Sequence, residues 1–220
     1  MKEYRIRLIE TAGKKIYLRC QSPSSAIDGA EAADDTEERE GIYLYPSEIR
    51  KSGLKDGMVL TDDQLEELRL TYALPRAKKR ALGILVKRDK TMRELSDKLK
   101  DSLNDSASIR EALDYVRIQG YADDRQYAAD YLRSRRKSRS FRVIRMELQR
   151  KGIPSDMLDL LFEEEEQTRE DVEEAVRKYV RKFSGQDPLS RKKICAHFFR
   201  KGYEPGLIHD ILADDEFFLD

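Results

Sequence analysis

The chain has 220 residues, and its 43 basic side chains equal its 43 acidic ones, so the formal net charge is zero. That total excludes a generally basic coat for nucleic acid and a highly charged tail. Charged residues make up 39% and apolar residues 39%, against about 25% and 45–50% in an average globular chain, so small stacked units fit better than one thick core.

The zero hides segregation along the chain. Residues 1–75 carry 11 basic and 15 acidic side chains, residues 76–151 carry 22 and 11, and residues 152–220 carry 10 and 17. The densest stretch runs from Arg133 to Lys151. It holds Arg133, Arg135, Arg136, Lys137, Arg139, Arg142, Arg145, Arg150 and Lys151, with Glu147 as its single acid. A run of that kind points to a polyanionic or acidic partner; its alternative reading is a solvated helix face.

Residues 1–60 form the first predicted unit, a β-containing one. Tyr4, Ile6 and Leu8 alternate with Arg5 and Arg7, the period of a half-buried strand. Ala12-Gly13 supplies a turn and Ile16–Arg19 the returning strand. Gln21–Glu40 is an acidic loop almost free of large apolar residues. Ile42–Tyr45 is a third strand, Pro46 opens a short helix that Gly53 ends, and Met58–Leu60 is a last short strand.

A linking helix is expected over 61–75, then helical units over 76–121, 122–166 and 167–220. Thr61 with Gln64, Thr91 with Glu94 and Ser108 with Glu111 fit capping boxes. Pro75 and Pro188 suit first helical turns, and Gly120, Gly152 and Gly202 suit left-handed helix ends. The predicted helices fall in threes: 76–87, 92–101 and 109–119; 124–137, 141–151 and 154–165; 168–184, 188–201 and 204–213.

An internal match supports the repeat. Residues 144–153, IRMELQRKGI, align with residues 194–203, ICAHFFRKGY, at an offset of 50. Val172, Val176, Tyr179 and Phe183 mark a core stripe at helical spacing. Tyr115, Tyr121 and Tyr127 are read as packing residues rather than base-stacking ones. The fold class is mainly α, three-helix repeats in tandem after the β-containing unit. Repeats of this kind complete their cores on their neighbours.

Catalytic patterns are missing. There is no phosphate-cradling loop, GxGxxG, GxSxG or HExxH. Cys20 and Cys195 are far apart and form no CxxC, so neither a disulfide framework nor a zinc site is expected. Cys195 and His197 lie two apart on one helix, about 200° around it, and do not make a nucleophile–base pair. His197 replaces Glu147 of the preceding repeat and is expected at an exposed position. Asp123 and Asp124 read as a helix cap. Glu163–Glu166 point around a helix and do not converge on a metal. No catalytic, metal or cofactor residue is assigned. The N-terminus lacks a signal-peptide pattern, and no apolar run reaches the ~20 residues of a membrane span.

Three stretches carry a family resemblance. They are residues 77–99, residues 120–128 (GYADDRQYA) and residues 144–153. In order and spacing they resemble the RecX family of bacterial regulators of the RecA recombinase, with residues 52–60 similar to the N-terminal unit of longer members. The resemblance covers about residues 42–213. Ser140-Phe141 departs from the glycine often found before the middle repeat's second helix. The resemblance implies three tandem three-helix repeats in an elongated curved array and a protein that binds RecA or its filament on DNA; with the residue reading, the expectation is a cytoplasmic, non-enzymatic monomer. The resemblance further implies inhibition of recombinase, ATPase and coprotease activity, with direct contact to single- or double-stranded DNA in the filament left open. The nine basic residues are the candidate contacts. Two competing readings are a helix-turn-helix-like protein that binds duplex DNA directly and a scaffold that binds protein alone.

Overall fold

The computed structural model describes residues 2–11, 15–21, 40–102, 105–182 and 191–214. The chain divides into two compact units, Met1–Ala122 and Asp123–Asp220. The expected turn at Ala12-Gly13, nearly all of the acidic loop, Phe183 and Pro188 lie outside the described residues.

Unit one opens with β1 (Glu3–Thr11) and β2 (Lys15–Gln21), then β3 (Ile42–Leu44), α1 (Pro46–Ser52) and β4 (Val59–Thr61). The sheet is antiparallel throughout, in the order β3-β2-β1-β4. Ile6 pairs with Cys20, Tyr4 with Leu60, and Leu18 with both Leu8 and Ile42. The period-2 alternation puts Tyr4, Ile6, Leu18 and Cys20 on one buried face. Ile49 of α1 and Leu65 cover that face. Gly53 ends α1 at φ 65°, where a side chain would be strained.

A continuous helical stretch follows: α2 (Asp62–Leu68), a π-helical turn (Arg69–Ala73) and α3 (Leu74–Leu85). Thr61 caps α2 with the expected box. Its Oγ1 accepts from Gln64 N at 3.3 Å, and its N–H donates to Gln64 Oε1 at 2.9 Å. Pro75 sits in the first turn of α3, as expected, although that helix runs on directly from the π-helical turn. The wide turn, closed by Leu74 N–H to the Arg69 carbonyl, lies immediately before the proline. That extra width gives room for a ring that would clash with the carbonyl of an ordinary preceding turn. Buried Arg69 donates to Glu66 at 2.9 Å and to Glu111 at 2.6 Å. α4 (Met92–Lys100) and α5 (Ser106–Ile118) complete the first helix set. Thr91 caps α4 as expected. Ser108 does not cap α5: Asp105 does, accepting from Ser108 N at 2.8 Å, and Ser108 is buried in the first turn. The spacing S-x-x-E misled because an aspartate three residues earlier offers the stronger cap.

Unit two has the second set, α6 (Asp124–Arg135), α7 (Phe141–Arg150) and α8 (Ser155–Glu163), and the third, α9 (Arg169–Arg181), α10 (Arg191–Arg200) and α11 (Pro205–Ala213). Asp123 Oδ1 accepts from Arg125 N and Gln126 N, the cap expected of it. Gly152 and Gly202 have φ 91° and 78°, and both close the Arg-Lys-Gly helix ends aligned by the internal match. Each set has its own core. Leu132, Ile144, Leu148 and Leu158 fill the second, and Val176, Ile194, Phe198 and Ile208 the third. Helix α8 stops at Glu163, so Glu164–Glu166 form a linker rather than the helical row expected from the sequence. Tyr121 is 54% exposed, unlike Tyr115 and Tyr127, which pack against cores. His197 is half-buried rather than exposed, for a reason given below. Among the described residues, no helix is long and apolar enough to cross a membrane.

Candidate interaction face

The nine basic residues occupy the end of α6, the linker Arg136–Ser140, α7 and its C-cap. Helix α7 is amphipathic: Ile144 and Leu148 point into the core, which leaves Arg142 and Arg150 on its exposed side. Ser140 fixes where that helix begins. Its Oγ accepts from Val143 N at 3.3 Å and donates to the Lys201 carbonyl at 2.5 Å, so one hydroxyl caps α7 and holds the end of α10.

The structure sorts the nine by their partners. Arg136 is the most committed. Its Nε donates to Asp171 Oδ2 at 2.8 Å, Nη1 to Glu165 Oε2 at 3.0 Å, and Nη2 to the Glu166 carbonyl at 2.8 Å. Asp171 is itself 4% exposed, and the hydrogen bond that Arg136 donates to it raises the Arg136 pKa above its ordinary value. Gln167 completes this tie. Its Nε2 donates to the carbonyls of Arg136 and Arg139, at 2.9 and 2.8 Å, and its Oε1 accepts from Phe141 N at 3.2 Å.

Four others form ion pairs: Arg133 with Asp130 at 2.7 Å, Lys137 with Glu174 at 3.1 Å, Arg139 with Glu147, and Arg145 with Asp159. Lys151 lies over the rings of Tyr127 and Tyr131, 5.4 and 5.8 Å from their centroids.

Three remain. Arg135 is exposed above Tyr131, 5.7 Å from the ring centroid. Arg142 and Arg150 are exposed on α7, about 80° apart around its axis. Among the described residues, none of these three has an ion pair. An exposed guanidinium without a carboxylate partner is available to an external anion, and its planar fork suits phosphate and carboxylate alike.

The sequence reading missed the acids that answer the run. Asp171 and Glu165 stand about 30 residues away, as does the amide of Gln167, and their only signal was a cluster of acids after a helix end. Cys195 is buried, and His197 stacks on Tyr179. Neither meets the other as a catalytic pair would.

Residues 123–159 match the family model described as RecX, second three-helix domain. A regulatory protein RecX from Geobacillus thermodenitrificans is 28% identical over 173 residues, 76% of this chain and 64% of that protein. The chain therefore spans less than two thirds of that relative's length. A regulatory protein RecX from Trichlorobacter lovleyi is 27% identical over 138 residues, 60% of this chain and 90% of the relative. In fold, the chain is similar to a crystal structure of regulatory protein RecX, with TM-score 0.58 and 20% identity over 97% of this chain and 99% of the other. The crystal structure of RecX from Lactobacillus salivarius has TM-score 0.54 at 21% identity, over 67% of this chain and 98% of that one.

Proposed function

We propose that this chain, a RecX-family protein by its second three-helix domain and its relatives, is a regulator of the RecA recombinase. It binds RecA or the RecA filament on DNA and lowers recombinase, ATPase and coprotease activity, with no chemistry of its own. In this reading it acts as a monomer in the cytoplasm, where RecA works.

The observation that carries the reading is the set of unpaired guanidinium groups, Arg135, Arg142 and Arg150, in the segment that matches the family model. A surface prepared for an acidic protein groove or a phosphate backbone needs such charges. Paired ones have already spent their attraction internally.

The same distinction sets the test. Reversing Arg136 or Arg139 would put a carboxylate against Asp171 or Glu147 and damage the fold. Reversing Arg135, Arg142 and Arg150 to Glu leaves the internal pairs intact. The triple variant is expected to stay folded and to lose most inhibition of DNA-dependent ATP hydrolysis by RecA. Full inhibition by the folded variant would refute the assignment of this face.

A further inference from the structure

The second and third helix sets differ at one chemically telling position. At the offset of 50, Glu147 aligns with His197 and Lys151 with Lys201. In the second set the Tyr131 hydroxyl donates to Glu147 Oε2 at 2.9 Å, and Arg139 pairs with the same carboxylate. Lys151 stands over the Tyr131 ring. Positive charge there is answered from within.

In the third set Tyr179 faces His197 instead. The two rings stack, with centroids 3.9 Å apart and planes 21° apart, which is why His197 is half-buried. An imidazole brings no negative charge to replace that of Glu147. Burial, with the Lys201, Arg200 and Lys182 cations around it, pushes the His197 pKa below its ordinary 6.5. Lys178 and Lys137 share Glu174, at 2.8 and 3.1 Å. Among the described residues, no carboxylate pairs with Lys182 or Lys201.

A cleft of about 340 Å³ opens at this point. Lys178, Lys182, Lys201, His197 and Ser138 bring polar groups to its lining, and Tyr179, Phe198 and Tyr203 bring aromatic rings. Phe198 meets Tyr179 edge-on at 5.6 Å and Tyr203 at 4.9 Å, which fixes the wall. Tyr203 is 4% exposed, and burial pushes its hydroxyl pKa up to about 12.

We propose that this cleft binds one nucleotide unit, its phosphate held by Lys182 and Lys201 with Ser138 and His197 as hydrogen-bonding groups. The lining combines cationic groups with aromatic rings. Phosphate takes the first and a base or sugar face the second. The volume is at the small end of ligand sites, about 300–1,000 Å³, so it admits one nucleotide. The nucleotide can be free or part of a single strand. The assignment does not rest on the recombinase reading, and its test contains no recombinase.

The chain has two histidines, so two imidazole signals report in proton NMR, and His209→Gln assigns them. The probes are thymidine monophosphate, a short oligodeoxythymidylate and inorganic phosphate. Either nucleotide probe is expected to move the His197 signal and raise its apparent pKa, while the exposed His209 stays still. Saturation by the oligomer alone supports a strand as the source, and equal saturation by the monophosphate supports a free nucleotide. Lys182→Gln with Lys201→Gln should weaken binding by roughly tenfold or more, through loss of two charge-assisted contacts.

His197→Glu should restore the internally neutralised arrangement of the second set. That variant is expected to fold and to lose binding in a fluorescence anisotropy titration with labelled oligomer. The inference is overturned if His197 is unmoved by every probe. It is equally overturned if inorganic phosphate binds as tightly as the nucleotides, or if the folded lysine variant binds like wild type.

Discussion

Arg136 Nε lies 2.8 Å from Asp171 Oδ2, and this pair joins the linker after α6 to the first turn of α9. The most basic stretch of the chain is therefore partly an internal fastening. Asp171 also serves the cap of its own helix, accepting from Thr168 N at 3.2 Å while its N–H donates to Thr168 Oγ1 at 3.3 Å. Arg136→Gln leaves the buried carboxylate without its cation and should cost ~2 kcal/mol, below the 3–5 of a fully buried pair because Arg136 is partly exposed. Arg135→Gln, at an exposed position without an ion pair among the described residues, should change stability by less than about 0.5 kcal/mol. Urea unfolding of both variants separates fastening from open surface.

Ser140 offers a second check. Alanine there removes the α7 cap and leaves the Lys201 carbonyl without its hydroxyl. The expected loss is about 1–2 kcal/mol. Ser140→Asn keeps a capping oxygen and should recover part of it, measured by the shift in denaturation midpoint.

Gly202 and Gly120 have nearly the same backbone, φ 78° and 70°. Their surroundings differ. A Cβ on Gly202 would come within 2.9 Å of Arg142 Cδ and 3.3 Å of its Cβ, whereas one on Gly120 would meet nothing within 4 Å. Gly120→Ala should cost ~1 kcal/mol, the backbone strain alone. Gly202→Ala should cost more, because Arg142 must move, and it should also displace one of the three unpaired guanidinium groups. Thermal denaturation of the two alanine variants would show the difference.

His197 sets a pH signature. Its folded pKa is lowered by burial first, then by Lys201, Arg200 and Lys182. Tyr179 and Phe198 pack against the ring. Above 6.5 both the folded and unfolded histidine are neutral and stability is full. As pH falls below 6.5 the unfolded form binds a proton first, so stability declines until the folded pKa is passed. Unfolding free energies between pH 7.5 and 5.5 should fall for the wild type, and His197→Gln should flatten that decline.

Much of the architecture was legible before any coordinates. The strand alternation at Tyr4, Ile6 and Leu8, the Thr61 cap, the glycines after 119, 151 and 201 and the three helical triplets are local signals, each set by the conformational limits of a few residues. The errors were local signals with a competitor nearby. Ser108 lost to Asp105 as a cap. His197 was expected outside because its counterpart in the second set is charged. Its ring instead found Tyr179 across the helix pair.

By itself the sequence determined a β-containing unit and repeated helix sets, because periodicity and capping act within a few residues of each other. It also located the positive charge in the segment 133–151. Only the tertiary structure decided which of those charges are spoken for. Arg136 meets Asp171 and Arg139 meets Glu147 because folding brings distant residues within hydrogen-bond reach, and Coulomb attraction depends on that distance rather than on separation along the chain. The chain's zero total charge could not show where opposite charges cancel in space. Among the described residues, the fold leaves Arg135, Arg142 and Arg150 uncancelled in the second set, and Lys182 and Lys201 beside His197 in the third.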